Sequence, residues 1–219
     1  MLSAIDWQKN GIENTEVDKI IISLSGLDGS GKSTQIKKLK TNLKSRGYAV
    51  LDYSLMAHSV SYKISKRSPK KVVKSVDKVY SKKKGLRWFI VRLIKRTFAL
   101  LDLFIFYAGI YFRYKSRKKR ILLCDRYFYD QVIHWKYLGF IGKIFAKVYL
   151  RLVPKPDLAL LLSVKPEVAM KRQPEHSPAY YPLIAKEYSK LKKYFKTVNV
   201  TTIEETQKKI LLKVNRLLE

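Results

Sequence analysis

Apolar residues along this chain fall into two patterns. Residues 19–25, 120–124 and 157–163 are short, nearly unbroken runs rich in Ile and Leu. That is the pattern of parallel strands buried on both faces. Residues 48–53 and 198–201 read as two further, more mixed strands. Helical spacing fills the gaps. Over 32–46, Ile36, Leu39 and Leu43 share one face, and Gly47 supplies the stop. Pro166 stands at the first position of a helix after the fourth strand. A Tyr- and Lys-rich helix is predicted over 179–196. Thr202, Ile203, Glu204 and Glu205 form a capping box for a closing helix whose Ile210, Leu211, Val214 and Leu218 face the core. Strands alternating with helices, without repeat or linker, predict one α/β domain over 1–219 with a parallel sheet.

Two stretches depart from that rhythm. Residues 59–84 are rich in Lys and Ser with weak periodicity, and 86–113 are helical, apolar and basic at once. Together they suggest a basic, apolar insert at about 59–96. The longest apolar run, 97–112, is interrupted by Asp102 and falls short of the roughly 20 residues of a spanning helix, so a buried helix is expected. Residues 1–18 carry Asp6, Glu13, Glu16 and Asp18 and lack the apolar segment of a signal peptide. The single cysteine, Cys124, excludes an internal disulfide framework. A cytoplasmic protein is the expectation, with Cys124 a small core hydrophobe.

The first strand runs straight into Gly26, Leu27, Asp28, Gly29, Ser30, Gly31, Lys32 and Ser33, the G-x-x-x-x-G-K-[ST] phosphate loop. Its glycines let successive N–H groups point at phosphate oxygens, and the helix that follows adds its positive end. Gly26, Asp28, Gly29, Ser30, Gly31, Lys32, Ser33 and Thr34 are therefore the expected ATP-binding set. Lys32 reaches the β- and γ-phosphates, and the Ser33 hydroxyl ligates Mg²⁺. Asp125, closing the strand 120–124, sits where a second metal-associated carboxylate belongs. An ordinary strand-end ion pair between Asp125 and Arg126 is the plainer alternative. His58, His134 and His176 form no metal-ligand spacing with Cys124, so a zinc site is not expected.

The stretch from Ser25 to Gln35, the Asp125, Arg126 and Tyr127 triplet, residues 156–172 and the closing helix resemble the thymidylate kinase family of nucleoside monophosphate kinases. The resemblance covers most of the chain outside its start and the basic region. It implies a three-layer P-loop α/β sandwich that transfers the γ-phosphoryl group of Mg·ATP, and it makes a dimer a family expectation. Carried over by position, Lys32, Asp28, Asp125, Arg126 and Arg172 are the catalytic set, Ser33 and Asp125 hold the metal, and Asp28 and Arg126 face the acceptor. Asp130 is an added acceptor-side residue, with capping of the following helix as its alternative. Acceptor-side departures are Ser54, Leu55 and Met56, where the family carries a phosphate-gripping Arg, and Ile110, where it carries another. Asp130, Gln131 and Trp135 replace the family's thymine-reading pair. These losses suggest a sugar or lipid-linked glycan as acceptor. A true thymidylate kinase and a non-catalytic, nucleotide-gated binder are the alternatives.

Charge adds one more question. The net charge is +29, and residues 63–120 hold 20 Lys or Arg against Asp77 and Asp102. Such an excess points to an anionic partner beyond one nucleotide. An anionic membrane surface is one partner for this region, on the inner face of the membrane, with Trp88 and Phe89 at the interface. Nucleic acid is a second and less favoured one. A core helix with its charges turned to water is the third reading.

Overall fold

The computed structural model describes residues 20–55, 85–111 and 120–219. Five parallel strands form one sheet: β1 (Ile20–Gly26), β2 (Ala49–Ser54), β3 (Arg120–Asp125), β4 (Leu158–Ser163) and β5 (Lys196–Asn199), in the order β2-β3-β1-β4-β5. Strand β1 lies between β3 and β4, with Leu24 opposite Asp125 and Gly26 opposite Leu162. A ligand crevice forms outside the carboxyl ends of such central strands.

The alternation of side chains along the strands builds two cores. Ile20, Ile22, Leu24, Ile121, Leu123 and Leu160 face one side, where they pack with Leu39 and Leu43 of α1 (Lys32–Ser45) and Ile210 and Val214 of α7 (Ile203–Leu218). Ile21, Leu122, Cys124 and Leu161 face the other. There they meet α2 (Leu86–Ile105), α3 (Phe128–Tyr137), α4 (Lys143–Leu152), α5 (Pro166–Arg172) and α6 (Tyr180–Lys190). Fully buried Cys124 is the small core hydrophobe it promised to be. The parallel-sheet α/β fold expected from the pattern, and the layered sandwich that the resemblance implied, are the fold observed.

Several boundaries moved. Strand β5 is two residues earlier than its pattern suggested, and the 179–196 helix ends at Lys190, followed by a 3₁₀ turn over Lys192–Tyr194. Helices α3 and α4 did not emerge from periodicity. In α3 every residue is buried except His134 and Lys136, which are half-buried, so no polar face marks it as a helix. Of the segment 86–113 predicted as helical, the described residues 86–111 are helical, closing in a π-turn over Phe106–Tyr111. Its apolar run is not simply buried: Ala99, Leu103 and Phe106 face the core, while Leu100, Phe104 and Ile105 face outward. Most of the predicted insert, and Ile110's side chain, lie outside the described residues.

Candidate functional site

The phosphate loop leaves β1 at Gly26 and enters α1 at Lys32. Gly29 has φ of 82°, and a Cβ there would stand 2.3 Å from the backbone oxygen of Ala169. Gly31, with φ of 87°, has open space on its Cβ side, which leaves room for a phosphate against the backbone. The Lys32 ammonium turns back into the loop and donates to the carbonyls of Gly26 (3.0 Å) and Leu27 (2.7 Å). Burial, and then the neighbouring Arg126 charge, pull its pKa down to about 8. Ser33 and Thr34 are exposed at the head of α1.

Arg126 sits opposite, between β3 and α3, in a left-handed conformation with φ of 65°. A non-glycine residue held there carries backbone strain, a feature that collects at functional sites. Its guanidinium pairs with Asp28 and lies 3.9 Å from Asp130. It does not pair with Asp125, so the plain strand-end ion pair is not what forms. His176 approaches the other Asp28 oxygen at 3.4 Å and stacks on Tyr180 with ring centroids 3.9 Å apart. Burial would raise the Asp28 pKa, but the His176 hydrogen bond and the Arg126 and Lys32 charges outweigh it and hold the carboxyl well below the usual range.

Asp130 accepts from the Ser25 hydroxyl (2.6 Å), the Tyr127 N–H (2.8 Å) and the Tyr188 hydroxyl. The Tyr127 bond caps α3, so the capping alternative for Asp130 is realised. Asp125 differs. Its Oδ1 is buried without a hydrogen-bond partner among the described residues. Burial raises its pKa, and Asp130 and Asp28 add to that, against the pull of Arg126 and Lys32. An orphaned carboxylate oxygen across from the exposed Ser33 fits a divalent cation held mainly by phosphates and water.

Asp28, Gly29, Ser30, Gly31, Lys32, Ser33, Thr34, Asp125, Arg126, Asp130 and Arg172 all line one cleft of about 980 Å³. Of the predicted set, only Gly26 stands outside its lining. It is packed under the loop instead, where a Cβ would meet the Leu162 oxygen at 2.7 Å. From the loop, one arm of the cleft runs to Val200, Thr201, Thr202 and Ile203 at the start of α7. The other runs past Leu55, Ile133, His134, Trp135, Leu138 and Phe140. Leu55 follows β2 at one edge of the sheet and Val200 follows β5 at the other, so the site is two-sided, with Lys32 after β1 and Arg126 after β3 between them.

Three residues of this site, Gln173, His176 and His134, were given no role from sequence, and a fourth, Tyr188, was expected at a lid or acceptor wall with helix packing as the plainer reading. Gln173 accepts from the Gly29 N–H through Oε1 at 2.9 Å, placing an amide oxygen on the phosphate loop. His176 reaches Asp28, and Tyr188 ties Asp130 to the Gly26 carbonyl (3.2 Å). His134 lines the acceptor arm, and burial, followed by the Arg126 and His176 charges, lowers its pKa to about 4. No local spacing announces them, because α5, α6 and α3 bring them in from distant parts of the chain.

No model of a protein family matches this chain. Curated proteins do. A probable thymidylate kinase of Sulfurisphaera tokodaii is 30% identical over 158 residues, 69% of this chain and 67% of the relative. This chain belongs to the thymidylate kinase family. Two further members, both probable thymidylate kinases, are those of Archaeoglobus fulgidus and Methanocaldococcus jannaschii. They are 26% and 27% identical, over 70% and 71% of this chain and 68% and 70% of theirs. As a member of that family the chain is an ATP-dependent kinase, and the non-catalytic alternative falls away. The phosphate loop, Asp125 and Arg126 thus stand in a kinase scaffold.

Proposed function

We propose that this kinase transfers the γ-phosphoryl group of ATP to the phosphate of a nucleoside monophosphate, with thymidylate the first acceptor to test. The observation that carries this is the position of Arg126. Strained and paired with Asp28, it stands between the two arms of the cleft, whose lining it shares with Lys32. Phosphoryl transfer is catalysed mainly by positioning and by neutralising oxygen charge, and Lys32, Arg126 and Arg172 are the cations that line the described cleft. The aromatic and apolar second arm suits a planar base. The names of the three relatives point the same way.

Gly29, Ser30, Gly31, Lys32, Ser33 and Thr34 bind the ATP phosphates in this scheme, with Gly26 shaping the loop beneath them. Ser33 and Asp125 hold Mg²⁺, which supplies further charge neutralisation on the phosphate oxygens. Asp28, in releasing Arg126 to the acceptor phosphate, sets where that phosphate lies. Asp130 acts through Arg126 and Tyr188 as a positioning residue.

One observation favours a second reading. Leu55 lines the acceptor arm where the family resemblance places a cation, so the arm has an apolar wall there. A neutral hydroxyl acceptor, on a sugar or lipid-linked glycan, would tolerate that better than a phosphate. The two differ in proton balance. A phosphate oxygen is already anionic, whereas a hydroxyl must lose its proton to a base, Asp28 or Asp125. ADP release is measured across nucleoside monophosphates and sugars, with Lys32→Ala as control. Thymidylate-dependent turnover, lowered about a hundredfold or more by Lys32→Ala, is expected. Turnover with sugars alone, abolished by Asp28→Asn or Asp125→Asn, would replace the first reading by the second.

A further inference from the structure

Among the described residues, the side-chain amides of Gln35, Asn42 and Gln207 each keep a buried atom without a hydrogen-bond partner. Of these, Gln35 alone lines the cleft, and its bond to Ile203 sets it in the arm that ends at α7. Gln35 lies in the first turn of α1, its N–H bonded to the Gly31 carbonyl, and it is 3% exposed. Its Nε2 donates to the Ile203 carbonyl at 3.0 Å. A carbonyl can only accept, so the amide nitrogen must face Ile203 and the two branches of the amide cannot be exchanged. The other branch, Oε1, has no donor. It is shielded from bulk water, so solvent does not supply one, and a bare buried acceptor is a costly arrangement.

The polar groups around it are already engaged. Thr206 Oγ1 accepts from the Thr201 N–H (3.1 Å), Thr202 Oγ1 from the Glu205 N–H (3.2 Å) and Thr201 Oγ1 from Lys209 (3.4 Å). These bonds hold the turn from β5 into α7 in place. Its apolar side chains, Val200 and the exposed Ile203, give the arm a wall on which a planar base can lie. Adenine carried as ATP offers N–H groups at its 6-amino position, where guanine has a carbonyl oxygen.

From the orphaned Oε1 and the fixed amide we infer that Gln35 selects the base of the phosphoryl donor. It accepts a hydrogen bond from the adenine 6-amino group and opposes the oxygen of a 6-oxopurine. The terminal torsion of a glutamine is broad, so a small turn brings Oε1 to the face of the wall. The inference rests on the acceptor lying in the arm past Leu55, as proposed, which leaves the α7 arm to the ATP base.

Titration calorimetry of the full chain with Mg²⁺ and either ATP or inosine triphosphate, which carries oxygen at position 6, tests this with no acceptor present. The unsubstituted chain is expected to bind ATP about tenfold more tightly. Gln35→Met keeps the length of the side chain and removes both amide atoms. Loss of the bond to Ile203 acts on both nucleotides alike, so the ratio of the two affinities isolates Oε1, and it should fall to near one. Gln35→Leu is read in the same way and guards against a folding defect peculiar to one substitution. Equal binding of the two nucleotides by the unsubstituted chain would overturn the inference. So would a preference for ATP that survives either substitution, since Gln35 would then only clamp α7. Failure of the acceptor assignment shows separately, as absent ADP release with thymidylate.

Discussion

Lys32 carries its charge in a place that makes ATP binding depend on pH. Burial and Arg126 bring its pKa down to about 8 in the free protein. Polyphosphate beside the ammonium would raise that pKa again, because an opposite charge favours the charged form. ATP then binds best to the protonated lysine. Its affinity should hold below pH 8 and fall above it, approaching about tenfold per pH unit, with net proton uptake on binding. Titration calorimetry in buffers of different ionisation enthalpy reads both quantities, and a flat affinity from pH 7 to 9.5 would contradict this. Gly29 makes a steric prediction of the same kind. A Cβ 2.3 Å from the Ala169 oxygen, at φ of 82°, forces the loop away from α5. Gly29→Ala should cost about 2–3 kcal/mol in stability, seen in urea melts, and more than Gly31→Ala, which meets the left-handed φ without the clash.

At the scale of elements, α3 organises the site. Its N-terminus is capped by Asp130, which also anchors Ser25 of β1 and Tyr188 of α6. One carboxylate thus ties three elements together beneath the phosphate loop. One turn further along α3, His134 faces the acceptor arm in its neutral form, with a pKa of about 4 in the folded chain. That lies below the ordinary histidine value of 6.5, so between these two pH values the unfolded chain holds a proton that the folded one does not. The contribution of neutral His134 is complete above about pH 6.5 and is lost as pH falls toward 4. In urea denaturation, His134→Asn should flatten the stability loss over that window relative to the unsubstituted chain. An unchanged slope would place the titration elsewhere.

At the scale of the whole molecule, the balance of charge dominates. A net charge of +29 on 219 residues opposes compaction through self-repulsion. Of the described cations, several are matched locally, as in Lys136 and Lys190 on Glu187 or Lys38 on Glu204. The acids are too few to extend that matching across the surface. The melting temperature should therefore rise with ionic strength, steeply at low salt and levelling off as the Debye length shrinks below about 8 Å. A melting temperature that falls with salt would mean that attractive surface pairs outweigh the repulsion. Kinetic assays will need fixed ionic strength for the same reason, since association with anionic substrates is also steered.

The buried parallel strands, the phosphate loop and the closing helix were legible because each depends on local chemistry. Consecutive Ile and Leu specify burial on both faces. Gly29, Gly31, Lys32 and Ser33 specify a phosphate cradle through spacing alone, and Thr202 caps α7 from its own sequence neighbourhood, accepting from the Glu205 N–H. Asp125 and Arg126 were found because they end a readable strand. Only the fold decided the rest. Helix α3 has no polar face to betray it, since it is buried on nearly every side. Gln173, His176 and Tyr188 reach the loop across more than a hundred residues of chain. The outward turn of Phe89 and Phe104, and the inward turn of Lys95 and Arg96, depend on which side of α2 meets Phe140 and Phe145. Periodicity shows that a helix has two faces, and packing against the rest of the molecule determines which face is left for a partner.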